Sequence, residues 1–203
     1  MNKLLIASNN QAKVEEYKRL LKDIPIELVT LSDIGIDTKV QEHGKTFEEN
    51  AEKKARAYSK ISGLPTLADD GGLEIDYLDG EPGVLSRRWP GYEASDDELV
   101  EITLTKLAGV PWEKRAGQLR VVVAIKFPDE EKVYTAEGTK RGFIHDTVQD
   151  PIQIGYPFRS LFYIPELKKT YCKLTAEEEA RLAHRVGALQ ELETILREKL
   201  CST

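Results

Sequence analysis

With 203 residues, 40% of them hydrophobic and 32% charged, the chain has the make-up of a globular protein with one substantial core, or of two lobes of one domain. A formal net charge of −6 argues against a surface dedicated to nucleic acid or membrane, while leaving room for a local basic pocket. No apolar run approaches a membrane span, and the N-terminal one is far too short for a signal peptide. The two cysteines, Cys172 and Cys201, are unpatterned, which points to a reduced, cytoplasmic setting, and His43, His145 and His184 lack zinc-ligand spacing.

Residues 3–7 read as a buried strand, followed by the polar turn Ser8-Asn9-Asn10-Gln11-Ala12-Lys13 and a helix with apolar spacing at Val14, Tyr17 and Leu21. A polar loop feeding a helix N-terminus can bind an anion, and Lys13 adds a full charge within the first turn. An ordinary N-cap explains the same residues equally well. The next helix starts at a capping box, Thr46-x-x-Glu49, carries Phe47, Ala51, Ala55, Tyr58 and Ile61 on its apolar stripe, and stops at Gly63 and Pro65. Asn50 and Lys54 share one flank of it. Gly44-Lys45-Thr46 is not a P-loop, because Lys39 stands where the upstream glycine belongs.

Residues 65–68 read as a short strand and 73–78 as a second, with Asp69-Asp70-Gly71-Gly72 as a tight bend between them. Adjacent carboxylates repel unless a cation neutralises them, and oxygen ligands suit Mg²⁺, which also recruits phosphates. Taken alone, a solvated acidic turn is the commoner explanation of such a motif.

Farther along, Ser95-x-x-Glu98 opens a helix bearing Leu99, Ile102 and Leu107. Residues 118–127 form a strongly apolar strand and 132–139 its partner, across the turn at Pro128-Asp129. The stretch 141–165 is mixed strand and loop. Thr175-x-x-Glu178 begins the terminal helical region, with Gly187 as a candidate interruption. Early strands alternating with helices, then a long hairpin, indicate an α/β or α+β domain with a mixed sheet.

Several spaced motifs coincide in order: Ser8-Asn9-Asn10-x-x-Lys13; Thr46-Phe47-x-Glu49-Asn50-Ala51-x-x-Lys54-Ala55-Arg56; Gly63-Leu64-Pro65-x-Leu67-Ala68-Asp69-Asp70-x-Gly72-Leu73; Gly80-x-Pro82-Gly83-Val84-x-Ser86-x-Arg88; and His184-Arg185. In this the chain resembles the inosine triphosphate pyrophosphatase family, the XTP/dITP diphosphatases, over nearly its whole length. The resemblance implies a single domain over residues 1–203. Its fold is an elongated central mixed sheet flanked by helices, with two lobes around a nucleotide-binding cleft, usually as a homodimer. It implies Mg²⁺-dependent hydrolysis of noncanonical purine nucleoside triphosphates (ITP, dITP, XTP) to the monophosphate and pyrophosphate. Glu42 and Asp70 would hold the metal, Asp70 would also accept the proton of the attacking water, and Asp69 would support it. Ser8, Asn9, Asn10, Gln11, Ala12, Lys13, Lys54 and Gly71 would line the phosphate and sugar end. His184 and Arg185 would approach the nucleotide from the terminal helix.

The chain departs from the family pattern at the base. Where an aromatic-Gly-Tyr/Trp-Asp-Pro segment is usual, it has Ile154-Gly155-Tyr156-Pro157-Phe158-Arg159-Ser160, without the first aromatic and the Asp and with about two extra residues. Glu179 replaces a lysine and would repel phosphate unless Arg181 compensates; Gly71 and Ala183 replace serines. Metal and phosphate handling are thus expected to be intact and base preference altered. The alternatives are the same chemistry on another nucleotide, or a weakly active nucleotide-binding relative.

Overall fold

The computed structural model describes residues 2–201. Twelve regular elements, apart from short 3₁₀ turns, follow in the order β1 (Lys3–Ile6), α1 (Gln11–Leu20), β2 (Glu27–Thr30), α2 (Phe47–Ser62), β3 (Thr66–Ile75), α3 (Asp96–Lys106), β4 (Ala116–Lys126), β5 (Val133–Ile144), β6 (Phe162–Ile164), β7 (Lys169–Thr170), α4 (Ala176–Leu182) and α5 (His184–Leu200). The strands form one seven-stranded sheet in the order β2-β1-β3-β4-β5-β6-β7. Pairing of β1 with β2 and β3 is parallel, and that of β6 with β5 and β7 is antiparallel, so the sheet is mixed as the alternation of elements predicted.

The chain divides into two compact units. The first takes the segment ending at Asp70, Val121–Gly138 and the segment from Arg185 onward; the second takes Gly71–Arg120 and Thr139–His184. The long strands β3, β4 and β5 each contribute residues to both.

In the first unit, Leu4 and Ile6 of β1, Val14 and Tyr17 of α1, Leu67 of β3, Val121, Val123 and Ile125 of β4 and Ala188, Leu192 and Leu196 of α5 form one buried apolar cluster. The helical spacing of Ala188, Leu192 and Leu196 puts that face of α5 inward. Gly187, exposed on the same helix, does not interrupt it; the break falls at Ala183, whose extended backbone (φ −62°, ψ 139°) separates α4 from α5. Ile61, placed on the stripe of α2 by its spacing, is instead 51% exposed.

In the second unit, Leu73, Ile75, Leu99, Leu107, Ile144, Leu161, Phe162 and Ile164 are buried. Buried Arg115 donates through Nη2 to Leu107 O at 2.7 Å and through Nε to Val110 O at 2.8 Å, tying itself to the chain that leaves α3. Ser95 and Thr175 make full capping boxes with Glu98 and Glu178. Thr46 makes half of one: its hydroxyl accepts from Glu49 N–H, whereas the Glu49 carboxylate accepts from Lys45 N–H at 2.6 Å.

The expected bend at Asp69-Asp70 does not exist. β3 runs without interruption through both residues, and the strand expected over 73–78 is its end, turning into a 3₁₀ helix at Asp76–Leu78. The glycines serve a close approach instead. A Cβ on Gly72 would lie 2.0 Å from Ser86 Oγ, which accepts from Leu73 N–H at 3.1 Å and donates to Gly83 O at 2.7 Å.

Candidate active site

Because β3 is continuous, Asp69 and Asp70 stand on a strand interior, 2% and 8% exposed. Two buried carboxylates in succession point to opposite faces of a strand, and each needs its own compensation.

Asp69 meets two cations. Lys13 Nζ lies 3.1 Å from its carboxylate, and Arg185 reaches Asp69 Oδ2 through Nη2 at 3.0 Å and Nε at 3.3 Å. Arg185 is itself 3% exposed, and its Nη1 lies 3.5 Å from the carboxylate of Glu16, which is 1% exposed. Lys13, Asp69, Arg185 and Glu16 therefore form a buried row of alternating charge. Burial opposes ionisation of Asp69, but Lys13 and Arg185 outweigh it and hold the carboxyl well below the usual range. For Lys13 burial dominates and lowers the ammonium pKa.

Asp70 has a different environment. Asn50, fully buried on α2, donates through Nδ2 to Asp70 Oδ2 at 2.9 Å, and its own Oδ1 accepts from Gly44 N–H at 2.7 Å. A side chain on Gly44 would meet that oxygen at 2.7 Å, so the glycine permits the approach. One turn along α2, Lys54 Nζ lies 2.5 Å from Glu42. Glu42 is carried by a segment pinned to α2 by Tyr58, whose hydroxyl donates to Thr38 O at 2.9 Å and accepts from Val40 N–H at 3.3 Å. Burial raises the pKa of Asp70, Lys54 pulls it back, and the charge of Glu42 pushes it up again. Burial likewise works against the Lys54 charge, but Asp70 and Glu42 outweigh it and the ammonium pKa is raised.

Among the described residues, no group of three or more His, Cys, Asp or Glu side chains makes a metal cage. Glu42 and Asp70 repel one another beside Lys54, and both offer hard oxygen donors. That set fits Mg²⁺, which commonly takes one or two carboxylates and completes its shell with phosphate and water.

The Ser8-to-Lys13 turn is in part the ordinary cap. Asn10 Oδ1 accepts from Ala12 and Lys13 N–H at 3.0 and 3.3 Å, and Ser8 Oγ accepts from Asn10 N–H at 3.2 Å. Asn9 is exposed, and Gln11 bonds outward to Glu15 at 2.9 Å. Lys13 is the residue of this turn that joins the carboxylates.

The remaining candidates belong to the second unit. Gly71 follows Asp70 along β3. Ile154 is 87% exposed, Gly155 donates its N–H to Asp96 Oδ2 at 2.7 Å, and Pro157 is buried at the start of a 3₁₀ helix, Pro157–Ser160. Tyr156 stacks on the Arg159 guanidinium, 3.5 Å from ring centroid to Cζ. His184 is buried with its ring 6.1 Å from that of Tyr171, edge-on. Glu179 finds its cation in Arg159, 3.0 Å away and buried, while Arg181 is exposed.

Against known families, residues 4–195 match the model of the Ham1 family. The chain belongs to that family. A Clostridium perfringens relative named dITP/XTP pyrophosphatase is 39% identical over 204 aligned residues, covering 97% of this chain and 98% of the relative. A Bacillus subtilis relative of the same name is 35% identical, with 97% and 98% coverage. Among solved structures, the Staphylococcus aureus Ham1 protein superposes with a TM-score of 0.82 at 34% identity, over 98% of this chain and all of that one. A HAM1 protein from Coxiella burnetii gives 0.83 at 32%, with the same coverage.

Sequence reasoning missed Glu16 as a partner of Arg185 in this cluster. Its signal was present: it sits one turn after Lys13 on the face of α1 that carries Val14 and Tyr17, where an acidic residue needs a buried partner. Asn50 was placed on the right flank of α2 but not among the site residues; its bond to Asp70 puts it there.

Proposed function

We propose that this chain is a Mg²⁺-dependent nucleoside triphosphate pyrophosphatase acting on ITP, dITP and XTP, releasing the nucleoside monophosphate and pyrophosphate. The observation that carries the reading is the buried charge pattern on β3: Asp70 faces Glu42 and Lys54, and Asp69 faces Lys13 and Arg185. The dITP/XTP pyrophosphatase relatives, aligned over almost the full chain, supply the reaction class.

A triphosphate shields its α-phosphorus with its own charge, so hydrolysis between the α- and β-phosphates calls for cations, fixed geometry and an activated water. Lys13 and Lys54 provide positive charge held in place by carboxylates. Asp70, kept in orientation by Asn50, accepts the proton of the attacking water; burial makes it a stronger base than a free aspartate. Asp69 and Glu16 orient Arg185. Glu42 and Asp70 would hold Mg²⁺, which would supply charge neutralisation and Lewis acidity for the phosphate oxygens.

The same reading includes a homodimer and a cytoplasmic location. The resemblance to the family supports the first, and the free thiols of Cys172 and Cys201 support the second. No helix among the described residues is long and apolar enough to cross a membrane. Pyrophosphate release from ITP, XTP, dITP, GTP and ATP, with and without Mg²⁺, tests the proposal: release from the first three in Mg²⁺ alone is expected, and its absence from all five would refute it.

A further inference from the structure

Glu42 meets a cation in this fold: Lys54 Nζ lies 2.5 Å from its carboxylate, with 12% of the lysine side chain and 34% of the glutamate exposed. Both partners are tied to α2. Lys54 stands on the helix between Asn50, which donates to Asp70 at 2.9 Å, and Tyr58, which pins the segment of Glu42 through Thr38 and Val40. Asn50, Lys54 and Tyr58 follow one another at four-residue spacing, so one face of the helix presents the partner of Asp70, the ammonium and the anchor of Glu42. Of the charges that act on the Lys54 ammonium, Asp70 is the strongest, followed by Glu42 and Asp69. The lysine is thus within electrostatic reach of both carboxylates that fit the metal.

A lysine kept for phosphate alone needs no acidic partner. Without it, Glu42 and Asp70 would repel one another with no cation to offset them. In the nucleotide-free protein the ammonium answers that repulsion with one charge. It also takes up the Glu42 oxygen that a metal would use: Mg²⁺ demands short, near-octahedral contacts to oxygen, and an ammonium cannot share such a position with it. A second cation beside the lysine meets like-charge repulsion where water screens it poorly. A polyanion removes the conflict. Lysine is a compact charge on a flexible four-carbon stem, so its head can transfer from Glu42 to a phosphate oxygen while α2 stays in place.

We propose that Lys54 closes the Glu42–Asp70 position to divalent metal in the nucleotide-free protein and opens it when a triphosphate draws the ammonium away, so that metal and nucleotide bind as mutually dependent ligands. Such coupling is reciprocal, and the metal strengthens nucleotide binding by the same factor. The proposal rests on the pyrophosphatase reading for its nucleotide and metal ligands. Its first readout is taken without nucleotide or turnover, so it can fail while pyrophosphate release succeeds, and the reverse.

The experiment measures Mn²⁺ binding by electron paramagnetic resonance, at fixed pH and ionic strength, in wild type, Lys54→Met, Lys54→Gln, Lys54→Met with Glu42→Gln, and Lys53→Met. Met keeps the stem and removes the charge; Gln removes the charge but keeps a donor for Glu42, so a folding defect in one leaves the other to be measured. Lys53, exposed on the same helix, controls for net charge. Without nucleotide, both Lys54 variants are expected to bind Mn²⁺ about tenfold or more tighter than wild type, within the usual range of coupling between sites. Lys53→Met should match wild type, since an exposed charge is screened. Adding Glu42→Gln to Lys54→Met should remove the gain. The α,β-methylene analogue of ITP, after subtraction of the metal it takes up in solution, should raise Mn²⁺ affinity by a larger factor in wild type than in the Lys54 variants. Equal nucleotide-free affinity of wild type and the Lys54 variants, an equal gain in Lys53→Met, a gain that survives loss of Glu42, or the same nucleotide effect in all would overturn the proposal. Mn²⁺ binding in none of these proteins, with or without the analogue, would overturn it together with the metal assignment.

Discussion

Asn50 holds Asp70 from one side while being held from the other: its amide donates to Asp70 Oδ2 at 2.9 Å and accepts the Gly44 N–H at 2.7 Å. A fully buried amide with both ends engaged has one orientation, so the carboxylate on β3 inherits a fixed direction from the loop that precedes α2.

Asp70→Asn removes the proton acceptor without removing packing. Its kcat should fall by about 10²–10⁴-fold, the usual contribution of a general base. Because burial disfavours the Asp70 charge, the variant should melt at the wild-type temperature or above it. Pyrophosphate release and a thermal melt check the two halves; near-normal turnover at saturating Mg²⁺ removes Asp70 from the mechanism.

Gly44→Ala acts on the same aspartate from a distance. The added Cβ would lie 2.7 Å from Asn50 Oδ1 and 2.8 Å from Glu49 Cβ, and forcing it in should cost about 1–3 kcal/mol. As Asn50 shifts, turnover should drop more than the fraction of unfolded protein explains. Denaturant melts and kcat on one preparation separate the effects.

Asp69 sets the response to acid. Its folded pKa is depressed, so its contribution to stability is present above the unfolded value of 3.8 and is lost as pH falls toward the folded one. Asp69→Asn leaves Lys13 and Arg185 buried without their carboxylate and should cost about 3–5 kcal/mol near neutral pH. The gap between wild type and variant should narrow as pH is lowered below about 4, since the unfolded wild-type chain then takes up a proton that the folded carboxylate resists. A gap independent of pH, read from denaturant midpoints, would mean that Asp69 is not ionised in the fold.

Glu179→Lys should destabilise, because it sets a second cation against buried Arg159 in place of a carboxylate 3.0 Å away. Loss of a buried pair of this kind costs about 3–5 kcal/mol. A melting temperature equal to wild type would show that Arg159 does not depend on Glu179.

The parts of this chain legible in its sequence are those with local causes. The capping boxes at Ser95 and Thr175 each lie within four residues and form as expected. Asn50 and Lys54, four apart on α2, do face the carboxylates. The Asp-Asp-Gly-Gly motif carries the strongest turn signal and yet is strand, because compensation for its buried charges comes from Lys13 and Arg185, distant in sequence, and its Gly72 is required by Ser86. Period and composition do not encode such partners. For the same reason Glu179 looked repulsive until its cation appeared at Arg159, twenty residues earlier.

The most direct test of the whole account is the site of bond cleavage, followed by phosphorus NMR of ITP hydrolysis by wild type in Mg²⁺. IMP and pyrophosphate should appear in equal amounts, with neither formed when the metal is chelated. IDP and inorganic phosphate as the products, or undiminished hydrolysis under chelation, would contradict it.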